Sequence, residues 1–193
     1  STTISVIYNG FSGSRYSLTM NEVSDFNGDG QKGNSLLYIP TEAEMDNMNF
    51  VDYTDQKTGK LIMSAADSRK AFTEWVNNDD YAKNHRGQYA ERNSNLSNWE
   101  HEIDLHLAQT IYNAQGLGKL EFTFDIINFA NMLNKKWGAS YSSAYNLSPL
   151  TVVSLSTDEN GNRNPGYAFN NAKINKSDIS SRWHAQVGIR LTF

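Results

Sequence analysis

The sequence predicts an all-β fold: about four C-terminal antiparallel strands of a large transmembrane β-barrel, joined on one side by two long loops. Three observations carry this prediction. Several segments alternate apolar and polar residues with a period of two. One of them, long and cleanly patterned, runs to the last residue, Phe193. The connections between them are very unequal in length.

The terminal segment is the most informative. From Ser181 to Phe193 one face reads Trp183, Ala185, Val187, Ile189, Leu191 and Phe193, and the other reads Arg182, His184, Gln186, Gly188, Arg190 and Thr192. A half-buried strand of a soluble sandwich gives the same alternation. The length of the run, its place at the end of the chain and its aromatic last residue turn the reading toward a membrane strand.

Two further segments repeat the pattern. In Trp99–Tyr112, Trp99, Ile103, Leu105, Leu107 and Ile111 share one parity, against Glu100, Glu102, Asp104 and His106. In Lys119–Ile126, Leu120, Phe122, Phe124 and Ile126 oppose Lys119, Glu121, Thr123 and Asp125. The alternation breaks at Ile126 and Ile127, which predicts a bulge or the strand's exit from the membrane. Asn113–Gly118 reads as a short hairpin turn. Thr3–Phe11 is strand-like and is expected to continue through Ser12, Gly13 and Ser14 to Met20. The expected strands are therefore about 3–20, 99–113, 118–132 and 181–193.

Between them lie loops of about 21–98 and 134–180. An up-and-down order puts both on one side and the short turn on the other, the outer-membrane pattern of extracellular loops and periplasmic turns. The C-terminus is then periplasmic. The first loop is expected to carry a short amphipathic helix over Ala65–Asn77, capped by Ser64, with Phe72, Trp75 and Val76 on its apolar stripe. The second is expected to carry a small hairpin, Leu150–Leu155 with Gly166–Phe169, joined by the turn-rich Asp158–Pro165. Four membrane strands cannot close, since such barrels have at least eight, and open edges in lipid are prohibitive. The expectation is a piece of a larger barrel, and a strand starting at the first residues fits it.

Composition limits the alternatives. The net charge of −4, with acids and bases interspersed, argues against a nucleic-acid partner. The chain has no cysteine, which removes disulfides, thiol catalysis and thiolate metal sites. No run reaches the length of a membrane helix and no signal peptide opens the chain, but membrane strands have soluble-looking average hydropathy. The 10 Tyr, 4 Trp and 9 Phe fit either an ordinary β core or an interfacial girdle.

One segment points to ion chemistry. Asp25-Phe-Asn-Gly-Asp-Gly30 matches the first half of a calcium loop, with side-chain oxygens from Asp25, Asn27 and Asp29, a backbone carbonyl from Gln31, and Gly30 at the sharp turn. Leu36 stands where an EF-hand has its glutamate, so Ca2+ would need another acid, such as Glu42 or Asp46, or water. A polar turn with Asn-Gly and Asp-Gly steps is the plainer reading. The histidines His85, His101, His106 and His184 have no metal-ligand spacing. Glu100, Glu102 and Asp104 fit a polar lumen face more simply than a catalytic pair. With no nucleophile elbow, P-loop, dinucleotide fingerprint or zinc motif, no enzymatic role is expected.

Phe124–Asn131 followed by Lys135–Gly138 resembles a stretch late in TonB-dependent outer-membrane receptors. Ser181-Arg-Trp and Gly188–Phe193 resemble their ending, in which Phe193, with Leu191 and Ile189 before it, would be the barrel-assembly signal. Gly10–Ser14, Asp25–Gly30 with Leu37–Pro40, and Arg86–Asn93 are similar to the Oar-like receptors of Bacteroidetes. Ser35 departs from the aspartate expected after Asn34, which weakens the calcium reading. The resemblance implies a barrel of about 22 strands around a plug, in the outer membrane, taking up a nutrient. It implies as partners outer-membrane lipid, the rest of the barrel and plug, TonB-ExbB-ExbD, the barrel-assembly machinery and, without direct support, a surface lipoprotein. The alternatives are an outer-membrane adhesin and a soluble calcium-binding β domain.

Overall fold

The computed structural model describes residues 1–22, 25–55, 57–114, 118–141 and 145–192. The chain is mostly strand. Its longer strands are β1 (Thr2–Phe11), β2 (Arg15–Glu22), β3 (Glu100–Ala114), β4 (Gly118–Ile127), β5 (Asn146–Thr157), β6 (Arg163–Phe169) and β7 (His184–Thr192). Helices α1 (Glu42–Asn47), α2 (Ala65–Asn78) and α3 (Phe129–Leu133) are short. The chain divides into two compact units: one from Ser1–Gly13, Ser97–Ser143 and Ile174–Phe193, the other from Ser14–Leu96 and Ala144–Lys173. No described helix is long and apolar enough to cross a membrane, which says nothing of crossing by strands.

The first unit is built on a four-stranded antiparallel sheet in the order β1-β3-β4-β7. Its register aligns the two side-chain parities across all four strands. Ile4, Leu107, Phe124 and Val187 form one apolar row, and Val6, Leu105, Ile126 and Ala185 the next. Between these rows, on the other face, run Ser5, His106, Asp125 and Gln186. Phe11 pairs with Glu100 and Ile127 with His184, so both long connections leave the sheet at the same end, as the up-and-down order requires.

Sequence and structure differ at three places in this unit. The strand expected over 3–20 is two strands in two sheets. At Gly13 a side chain would meet the Ser97 hydroxyl and, at 2.6 Å, the Asn98 carbonyl oxygen, so only glycine lets the chain pass this close to that segment. The strand expected over 118–132 stops at Ile127, because Asn128 takes left-handed backbone angles (φ 55°, ψ 49°) and α3 follows. The break in alternation at Ile126 and Ile127 coincides with the end of this strand, and the register shift lies between Thr110 and Tyr112. The terminal strand begins at His184, not 181, because Ser181 closes a turn onto Ser177. Phe193 and most of the Asn113–Gly118 turn lie outside the described residues or their side chains.

The second unit turns the two long connections into a domain with its own core. Its sheet runs β6-β5-β2 and ends on the short strand Asn95–Leu96. The expected hairpin exists, with longer arms than the sequence suggested, as antiparallel β5 and β6. Strand β5 also pairs in parallel with β2, which joins a segment of one connection to a segment of the other. Tyr16 to Met20 are buried without alternation, as a strand covered on both faces should be.

Helix α2 seals this core. Ser64 accepts a hydrogen bond from the Asp67 amide (3.1 Å), capping the helix where expected. Ser68, Phe72 and Val76 then fall on one stripe and are fully buried. Phe72 stacks on Trp75 at 5.9 Å between ring centroids and lies 6.1 Å from Phe50. Leu18, Leu37, Ile39, Leu150 and Val152 complete the interior. Arg69 donates to the Met45 and Met48 carbonyls and covers the Phe50 ring, pinning α2 to the end of α1. Replacing Phe72 by alanine should cost this unit about 3–5 kcal/mol. Hydrogen exchange should show the loss in α2, β5 and β6 and leave β4 and β7 protected. A loss spread evenly over both sheets would contradict two separately packed units.

Candidate functional site

The four-stranded sheet leaves a broad apolar face exposed. Ile4 is 73% exposed, Val187 72% and Ile189 69%, and Val6, Leu107, Phe122, Phe124 and Leu191 are exposed beside them. Glu121, on the opposite face of the central strand β4, is only 9% exposed. A contiguous exposed apolar surface of this kind marks a face that meets a protein partner or a membrane. Leu191 and Ile189 stand on this face.

The other face pairs its charges. Nδ1 of His106 bonds Oδ1 of Asp125, its cross-strand partner. Lys119 donates to Glu121, and Arg190 approaches the same carboxylate at 3.9 Å. Glu102 and Asp104 share this face, and His184 begins β7 on it. His101 and His106 fall on opposite faces, as their spacing predicts. The carboxylates are therefore spread along a polar wall. Nine residues at about 3.4 Å each give β7 an extended length of roughly 30 Å.

At the end where the connections leave, the rim is aromatic and polar. Tyr8 stacks on His101 and bonds its Nδ1 through the hydroxyl (2.8 Å), while Trp99 stacks on the same imidazole. Amphipathic rings at one level suit a membrane–water boundary. Asn128, which the sequence analysis passed over, organises this rim. Its amide N–H donates to Asp104 (2.8 Å), and its side-chain amide donates to the carbonyls of Gly138 (2.8 Å) and Ser181 (2.9 Å). The available signal was an asparagine directly after the alternation ends.

The Asp25–Gly30 segment is a closed, hydrogen-bonded loop in the second unit. Asp25 Oδ1 accepts from the Gly28 and Asp29 amides and Oδ2 from Gly30 (2.8 Å). Gly30 makes the sharp turn with φ +83°. Asp29 accepts from the Gln31 amide (2.8 Å) and from the side-chain amides of Asn27 and Asn34. The predicted ligand oxygens of Asp25, Asn27 and Asp29 are thus already serving loop donors, and Gln31 enters through its N–H. Glu22, unnoticed in the sequence, is buried and accepts from the Gly33 amide (3.1 Å). Among the described residues no three acidic or histidine side chains converge on a metal-sized site.

The Asn34 side-chain amide, and after it the Gln31 N–H, holds the Asp29 carboxyl below the ordinary aspartate value. The bonds favour the carboxylate. Their stabilisation is complete above an ordinary value of about 3.9 and is lost as the pH falls through the lowered pKa. The Gln31 amide should stay protected at about pH 4 and exchange freely only below it, read by NMR. An Asp29 midpoint at or above the ordinary value would contradict this geometry.

Comparison with protein families, with curated proteins and with solved structures finds no match to this chain.

Proposed function

We propose that the chain supplies C-terminal strands of a TonB-dependent outer-membrane receptor that takes up a nutrient, with β1, β3, β4 and β7 as wall and the second unit as an extracellular domain. The observation that carries it is the four-strand-wide exposed apolar face backed by paired charges. Lipid on one side and a polar lumen on the other give each face a matching environment. The edges of β1 and β7 lack strand partners among the described residues, and further barrel staves would satisfy them. The aromatic rim and the common exit of both long connections support an extracellular end there. The resemblance of the late segments to TonB-dependent receptors supplies the transport part.

An adhesin is the second reading, favoured by the size and independent core of the second unit. The upstream coding sequence separates the two: a plug with a TonB-contacting segment carries transport, and a barrel without one carries adhesion. The membrane part is tested directly. The chain should need detergent or bilayer to stay dispersed, and a monodisperse, cooperatively melting protein in plain buffer would overturn the reading. In bilayers, Val187→Arg should cost about 2–4 kcal/mol, while Gln186→Arg on the polar face should cost far less, measured by denaturant titration in lipid.

A further inference from the structure

We propose that the cleft between α3 and the turn before β7 binds the anionic headgroup of a lipid that ends in a phosphate monoester, at the membrane's outer edge, an inference that rests on the membrane reading above. The cleft encloses about 540 Å³ and is lined by Met132, Lys135, Lys176, Asp178, Arg182 and Trp183. Three cations face one carboxylate in a chain whose overall charge is −4, so this is a local positive site on an acidic protein.

The walls are held in place. The Asn131 amide, itself buried, donates to the Lys135 and Trp137 carbonyls and fixes the turn after α3. Lys176 donates to the Lys135 carbonyl across the cleft. The buried Ser181 hydroxyl accepts from the Ser140 amide (2.9 Å) and donates to the Ser177 carbonyl, which fixes the segment carrying Arg182. The Arg182 guanidinium makes no hydrogen bond or ion pair among the described residues and stays available for a bidentate partner.

Position selects a lipid over a free ion. Trp183 directly precedes β7, and the apolar series Ala185, Val187, Ile189 continues from it. The cleft sits at the end of the sheet from which the long connections leave, where a lipid against the apolar rows would present its head. Met132 and Trp183 give that lipid's glycerol or sugar region an apolar wall, and the cations meet its phosphate.

The test places the chain in phosphatidylcholine nanodiscs containing a minor fraction of acyl-brominated lipid, and reads quenching of tryptophan fluorescence. Brominated phosphatidic acid should quench about twofold more than brominated phosphatidylcholine at the same fraction. Combined Lys135→Gln, Lys176→Gln and Arg182→Gln should remove the excess and leave quenching by phosphatidylcholine unchanged. Asp178→Asn should enlarge the excess, a gain that misfolding does not produce. Equal quenching by the two lipids, or an excess that survives the triple variant, would each overturn the proposal while leaving the membrane reading standing. Absence of quenching by either lipid would instead overturn the membrane reading.

Discussion

The structure turns on one constraint, the separation of apolar and charged side chains onto opposite faces of a four-strand sheet whose apolar face is exposed. Each exposed Val, Ile or Leu in water forfeits roughly 25 cal/mol for every Å² that it fails to bury. Rows four residues wide multiply that cost. The registers observed keep the two sets apart, since Leu107 meets Ile4 and Phe124 while His106 meets Ser5 and Asp125, and a one-residue slip of any strand would mix them. Placed in hydrocarbon, the apolar rows cost nothing, and the charges that would be intolerable there lie on the other side, bonded to one another.

The second unit follows the opposite rule. Phe72, Val76, Leu18 and Leu150 are buried, and the polar side chains of α1, α2 and the Asp25 loop face solvent. Chain segments from both long connections are needed to build it, because β2 comes from the first and β5 from the second. The two units therefore dispose their apolar side chains in opposite ways, and the chain first passes from one to the other after Gly13, where a side chain would meet Ser97 and Asn98.

What the sequence disclosed was whatever has a local period. The faces of β3, β4 and β7, the helix capped by Ser64 and the β5–β6 hairpin all read correctly from neighbouring residues. Strand β2 did not, because a strand buried on both faces loses the alternation that reveals a strand, and Arg15–Met20 read as an extension of β1. Asn128 ended β4 earlier than hydrophobicity suggested, since a left-handed residue leaves no periodic trace. The cationic cleft was illegible for a different reason: Lys135, Lys176 and Arg182 lie far apart in sequence and meet only through the folded rim. The Asp25 loop was legible as a sharp, glycine-dependent turn, but its oxygens are directed to the loop's own donors.

The most direct measurement exploits the absence of cysteine. Single cysteines placed in turn from Ala185 to Leu191, in the bilayer-reconstituted chain, can be challenged with a membrane-soluble and a charged, water-borne thiol reagent. A lipid-facing sheet gives strict alternation: positions 185, 187, 189 and 191 react only with the lipid-soluble reagent, and 186, 188 and 190 only with the charged one. Reaction of Val187 and Ile189 positions with the charged reagent, or equal protection of both parities, would contradict a lipid-facing sheet.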